Sequence, residues 1–304
     1  MKHLAALVLS LTLSLLFISF SAQASNCSGV NGAIKDVVFL AQPNCDLAEG
    51  VSIVVNEIAK TFGGPNITVI MGSVSNNASF DLGHLIELPY QMIFYGQYGA
   101  SYPMSRVSVI TSAAHEYGHA IFHERVKKEF PDKFGDLAAK FAKVSDLKEA
   151  VARGKATSEQ LSKAALELAA APAYADFSKY LTAYSEFYAD VITVFNFESK
   201  SAMLKALYYD QMSDNEYYYV RTRDFDSKPS SSHDDMLSED HAKLAYVRAY
   251  VGEFMWPENR EQARVYADKI LSAIMVVAKE DIKSGRSPEF KEMSDRLIAE
   301  LKKP

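Results

Sequence analysis

Apolar positions recur along this chain in two rhythms, and the change from one to the other divides it. Short runs of β-branched and aromatic residues at 37–40 and 67–71 read as strands. Between them, residues 51–62 repeat apolar side chains at helical spacing until Gly63, Gly64 and Pro65 end the pattern. Ser75, Asn76 and Asn77 signal a turn, residues 79–88 (SFDLGHLIEL) a further strand, and the Gly- and Tyr-rich segment 95–103 a loop. Beyond it the rhythm is helical. Residues 107–130 predict a helix, and 136–170, rich in Ala, Lys, Glu and Leu, predict half-exposed helices punctuated by Ala171 and Pro172. Residues 174–197 predict a strongly apolar, aromatic helix; a polar loop at 224–235 then precedes helices expected at 241–254 and 261–283. The expected fold class is α+β, mostly α: a sheet-bearing N-terminal lobe over 25–130 and a helical lobe over 131–304.

The first 24 residues stand apart from this fold. Lys2 and His3 precede an apolar, serine-interrupted run over 4–20, and Ala22 and Ala24 place small residues where a secretory signal peptide is cleaved. The run is short for a bilayer span, so the mature chain is expected to be exported, periplasmic or extracellular, with no membrane association after signal removal. Only two cysteines exist, Cys27 and Cys45, and in an oxidising compartment they are expected to form a disulfide. The net charge of −6 argues against nucleic acid as a partner.

The chemistry concentrates at His115-Glu116-Tyr117-Gly118-His119. On a helix, residues i and i+4 share a face, so both imidazoles can hold one metal ion, while Glu116 projects about 100° away and can reach a water on that ion. This is the arrangement a zinc hydrolase needs. Two neutral imidazoles hold Zn²⁺, bound water becomes acidic near pH ~7, and the carboxylate takes its proton. Ala113, Ala114, Ala120, Ile121 and Phe122 make the helix a buried one, where imidazole and carboxylate groups need partners. Two ligands leave a tetrahedral site short of one. Phe122 and Arg125 stand where a metzincin has its glycine and third histidine, which excludes that pattern. The aromatic helix downstream, however, carries Glu186 and, one turn on, Asp190, a carboxylate pair that an apolar helix tolerates only with a metal and hydrogen-bond donors nearby.

HEYGH followed by EFYAD at 186–190 resembles the gluzincin metallopeptidases, the thermolysin-like branch of the zincins. The resemblance covers about ten motif residues. It implies His115, His119 and Glu186 as ligands of one Zn²⁺ per chain, Glu116 as general base, and Asp190 as the carboxylate that accepts the other ring N–H of a ligand histidine. It also implies a zincin-like fold, a peptide or protein substrate, and a twisted N-terminal sheet whose edge strand receives that substrate, with residues 80–88 as the candidate.

A complete site also needs a donor for the tetrahedral oxyanion. His233 and His241, the only histidines after His123, are the candidates; Arg248 and Tyr217, Tyr218 and Tyr219 are weaker ones. His84 and His123 read as structural. The expected function is a secreted zinc peptidase, against the alternative of a zinc-stabilised peptide-binding or scaffold protein without turnover.

Overall fold

Residues 34–39 (IKDVVF) and 67–71 (ITVIM) form strands β1 (Ile34–Phe39) and β2 (Ile67–Met71), which pair in parallel. A parallel pair needs a crossover connection, and helix α1 (Cys45–Phe62) supplies it. The computed structural model describes residues 27, 31–95, 101–208, 212–230, 237–286 and 288–304. The expected signal segment 1–24 and His233 lie outside them. Helix α1 begins earlier than its apolar spacing predicts, because the Asn44 side chain accepts from the Leu47 N–H and caps an added turn.

The strand expected over 79–88 is two strands. β3 (Ser79–Phe80) and β4 (Leu85–Leu88) run antiparallel, and the chain reverses where Asp81 Oδ1 accepts from the N–H groups of Gly83 and Leu85 and Leu82 adopts a φ of 64°. Apolar alternation across the segment hid this side-chain-stabilised turn. The sheet order is β1-β2-β4-β3, so only the two residues of β3 form the edge on that side. The loop expected over 95–103 is in part a hairpin of β5 (Ile93–Tyr95) and β6 (Ser101–Pro103).

The remaining elements are helices, some of them expected from the sequence: α2 (Arg106–Glu129), α3 (Pro131–Ala152), α4 (Ser158–Ala169), α5 (Pro172–Asn196), α6 (Ala202–Leu207), α7 (Asp214–Arg221), α8 (Ala245–Phe254), α9 (Arg260–Ser284) and α10 (Phe290–Leu301). Prolines open α3 and α5 at the position where a missing N–H is harmless. Thr157 with Gln160 and Ser213 with Glu216 form capping boxes that start α4 and α7. The helix expected from 241 starts only at Ala245, which leaves His241 on a turn.

Helices α2 and α5 form the centre of the molecule. Gly118 lets them meet: a Cβ there would stand 2.7 Å from Ala189 Cα. One buried apolar cluster runs from Ile34 to Leu301 and draws on both the sheet and the helical lobe. The Cys27–Cys45 disulfide is formed, with a Cα–Cα distance of 5.3 Å, and ties residue 27 to the start of α1. Among the described residues, no helix is long and apolar enough to cross a membrane.

Candidate metal centre

The close approach at Gly118 sets α2 residues His115 and His119 against α5 residues Glu186 and Asp190. The two Nε2 atoms lie 3.0 Å apart; Glu186 Oε2 is 3.1 Å from His115 Nε2 and Glu186 Oε1 is 3.6 Å from His119 Nε2. One ligand atom from each residue falls within 4.8 Å of the others, a grouping that a metal ion can occupy. Ligands bound tetrahedrally at about 2.0–2.2 Å from zinc stand about 3.3 Å from one another, close to the separations found here.

The donor chemistry gives a second test of fit. His115 Nδ1 lies 3.0 Å from Asp190 Oδ1; with the ring proton on that nitrogen, Nε2 presents a lone pair. This lone pair faces a Glu186 oxygen and another imidazole nitrogen. Acceptors converging in a buried site call for a cation among them. His119 Nδ1, on the outer side of its ring, lies 2.7 Å from Ser185 Oγ.

The electrostatics reinforce the cluster. Burial alone would raise the Glu186 carboxyl, but His119, His115 and His241 hold it well below the ordinary carboxylate range. Burial opposes charge on His119, and Glu186, with Glu116 and Asp190 behind it, outweighs burial and raises that imidazole. Asp190, fully buried, is likewise kept far down by Arg223 and Arg248 against the pull of desolvation.

Sequence reasoning did not assign Arg223 to the site, and it offered Arg248 only as a weaker oxyanion donor. Arg223, in the turn after α7, donates from Nε to both Asp190 oxygens at 3.2 Å, and its Nη2 lies 3.1 Å from His115 Nδ1. Arg248 donates from Nε to Asp190 Oδ2 at 2.9 Å and is wholly buried, its guanidinium 5.7 Å from the centre of the Phe187 ring. It is thus a partner of Asp190 and not an oxyanion donor. Gly252 makes room for this: a Cβ there would overlap the Phe225 carbonyl oxygen at 1.7 Å, so α8 and the 223–226 turn close together over Asp190. One available signal was Arg248 itself, a lone cation in the apolar pattern AYVRAYVGEF.

Glu116 projects away from the ligand cluster toward the sheet. Its Oε2 accepts the Phe80 N–H of edge strand β3 at 2.7 Å, which fixes the carboxylate on one side. His241 approaches from the turn before α8: Nε2 lies 3.2 Å from Glu186 Oε2, while Nδ1 lies 2.8 Å from Glu239 Oε1. Tyr219 donates its hydroxyl to Glu239 Oε2 at 2.8 Å, so a Tyr219–Glu239–His241 chain ends on Glu186. His241 is outside the mutually close group of three.

The other histidines sit elsewhere. His84 precedes β4 on a turn, 3.7 Å from Asp146 and 3.8 Å from Glu149. His123 is buried one turn beyond His119 among Phe80, Phe141 and Phe177. No family model, curated protein or solved structure matches this chain.

Proposed function

We propose that this protein is a zinc-dependent peptidase of the gluzincin kind, exported as its N-terminal segment suggests. The observation that carries the reading is the convergence of His115, His119 and Glu186 with a carboxylate, Glu116, on the residue next to the first ligand. Zn²⁺, when bound by those three side chains, supplies Lewis acidity and lowers the pKa of water toward ~7.

The chain's own groups do the rest. Glu116, anchored by the Phe80 N–H, takes a proton from the attacking water through its remaining oxygen. The water oxygen bonds to the peptide carbonyl carbon, the C–N bond breaks, Glu116 returns the first proton to the leaving amine, and the second water proton passes from the new carboxylic acid to that amine, giving a carboxylate and an ammonium group. His241, oriented by Glu239 and Tyr219, donates to the oxygen on which negative charge develops. Asp190 holds the proton of His115 on Nδ1, and Arg223 and Arg248 keep Asp190 ionised for that task.

The test is the zinc content of the purified chain beside Glu186→Ala, with peptide hydrolysis measured for Glu116→Gln. One zinc per chain, lost in Glu186→Ala, and hydrolysis abolished in a Glu116→Gln protein that keeps its zinc are the expected results. Full zinc with no turnover in the parent makes the protein a zinc-stabilised peptide-binding scaffold. No zinc in the parent removes the reading altogether.

A further inference from the structure

The Phe80 N–H that holds Glu116 belongs to a strand of only two residues, Ser79 and Phe80. So short a strand does not fix its own register against β4. The reversal that follows it does. Asp81 donates its N–H to the Leu85 carbonyl at 3.1 Å, and its Oδ1 accepts the N–H groups of Gly83 at 3.0 Å and Leu85 at 3.1 Å. Successive N–H groups of a strand point to opposite sides, so with the Asp81 N–H turned toward β4 the Phe80 N–H points off the sheet edge. There Glu116 Oε2 meets it at 2.7 Å. A slip of one residue would turn that N–H back into the sheet. The turn is also seated against α3: a Cβ on Gly83 would stand 1.9 Å from Ser145 Oγ, which accepts the His84 N–H at 3.3 Å.

We propose that Asp81 is a positioning residue for Glu116: its side chain closes the β3–β4 reversal in the one register that aims the Phe80 N–H at Glu116 Oε2, and so holds the carboxylate while its other oxygen serves as base. The inference rests on the peptidase reading and adds to it a residue that acts only through Phe80. A short bond from an amide to a carboxylate is among the stronger hydrogen bonds. A reacting group misplaced by about 1 Å can lose about 100-fold in rate, so the aim of one N–H carries weight. Among the described residues Asp81 Oδ2 has no hydrogen-bond partner, and burial pushes the carboxyl up. The turn therefore draws on the Oδ1 acceptor, which an asparagine amide supplies equally.

The experiment sets Asp81→Ala beside Asp81→Asn in the full chain, with two readouts. The first is the Phe80 amide in the NMR spectrum of chains carrying isotope-labelled phenylalanine, identified by the signal missing from Phe80→Leu. In the parent it should lie downfield and exchange slowly with solvent; in Asp81→Ala it should move upfield and exchange faster, and in Asp81→Asn it should return. The second is peptide hydrolysis by the zinc-loaded proteins. Asp81→Ala should keep its zinc and lose about 10- to 100-fold in kcat with KM little changed, and Asp81→Asn should recover most of the loss. A Phe80 amide unmoved in Asp81→Ala, a moved amide with kcat unchanged, or an Asp81→Asn protein as impaired as Asp81→Ala overturns the proposal. An amide that moves in Asp81→Ala and returns in Asp81→Asn, in a parent that hydrolyses nothing, leaves Asp81 as the residue that aims Phe80 at Glu116 and removes the peptidase reading. Hydrolysis with none of these responses does the reverse. Should Asp81→Ala not fold by circular dichroism, Asp81→Ser, whose shorter side chain makes the same turn more weakly, must move the amide and kcat in the same directions, and no movement overturns the proposal.

Discussion

Gly118 and Ala189 touch across the two helices that carry His115, His119 and Glu186, at a distance that admits no side chain at position 118. The contact sets the spacing of α2 and α5, and Glu186 and Asp190 flank Ala189 on the same helix, so it also sets the distance from His115 and His119 to their carboxylate partners.

Gly118→Ala should therefore destabilise the fold although alanine is the better helix former by about 1 kcal/mol. Overpacking against Ala189 costs about 1–3 kcal/mol, and the separation it forces should lower metal occupancy as well. Urea unfolding and metal content check both; a variant as stable as the parent, with full occupancy, would show that the helices do not need this contact.

Asp190→Asn keeps the shape and removes the charge. Arg223 and Arg248 are then buried with no anionic partner on Asp190's side, a change that costs about 3–5 kcal/mol in comparable buried pairs. With the acceptor of the His115 N–H weakened, metal affinity should fall by about 10- to 100-fold, measured against a competing chelator. Adding Arg248→Met should recover part of the stability, since one stranded charge leaves with it.

Metal removal gives a third prediction. Dialysis against a chelator should lower the unfolding midpoint, because the acceptors of His115, His119 and Glu186 are left facing one another. With free zinc at about 100 times its Kd, the expected difference is about 2.7 kcal/mol. Zinc returned in slight excess should restore the midpoint. An unchanged midpoint would mean that the cluster is satisfied without a cation.

His123 predicts an acid sensitivity of its own. Burial, with Lys127 and His119 adding to it, pushes its pKa down to about 3, and neither ring nitrogen has a hydrogen-bond partner. The folded state keeps this ring neutral, while the unfolded chain takes up a proton near pH ~6.5. Below that value the unfolded state binds more protons, so stability falls as pH falls toward about 3. Between about pH 7 and about pH 5 the loss should be about 2 kcal/mol in the parent. His123→Phe, an apolar ring in an aromatic surround, should show that much less acid dependence in urea unfolding; identical slopes would remove His123 as the cause.

What could be read in advance follows the range of the interactions involved. His115, Glu116 and His119 were legible because one turn of helix puts their relationship inside five consecutive residues. Glu186 and Asp190 were legible as a local anomaly, two carboxylates a turn apart in an apolar helix. The disulfide followed from there being only two cysteines. The reversal at Asp81 was not legible, because apolar alternation continues on both sides of the turn and only the side-chain hydrogen bonds to Gly83 and Leu85 reveal it. Short, polar α7 gave too little periodicity to be recognised, yet it supplies Tyr219 and leads into Arg223.

By itself, then, the sequence determined the α+β class, the two central helices and the polar residues they bury, since helical periodicity and buried polar groups are local properties. Tertiary structure alone decided that Arg223 and Arg248 close on Asp190 from 33 and 58 residues away, and that Tyr219 and Glu239 hold His241 against Glu186. It also decided that an edge-strand N–H anchors Glu116. Nothing in the local chain favours one arginine over another as the partner of a given carboxylate. The choice is made where side chains lacking water must find opposite charge, and which segments meet there depends on the packing of the whole chain, at places such as Gly118 and Gly252 where a missing Cβ lets two elements close.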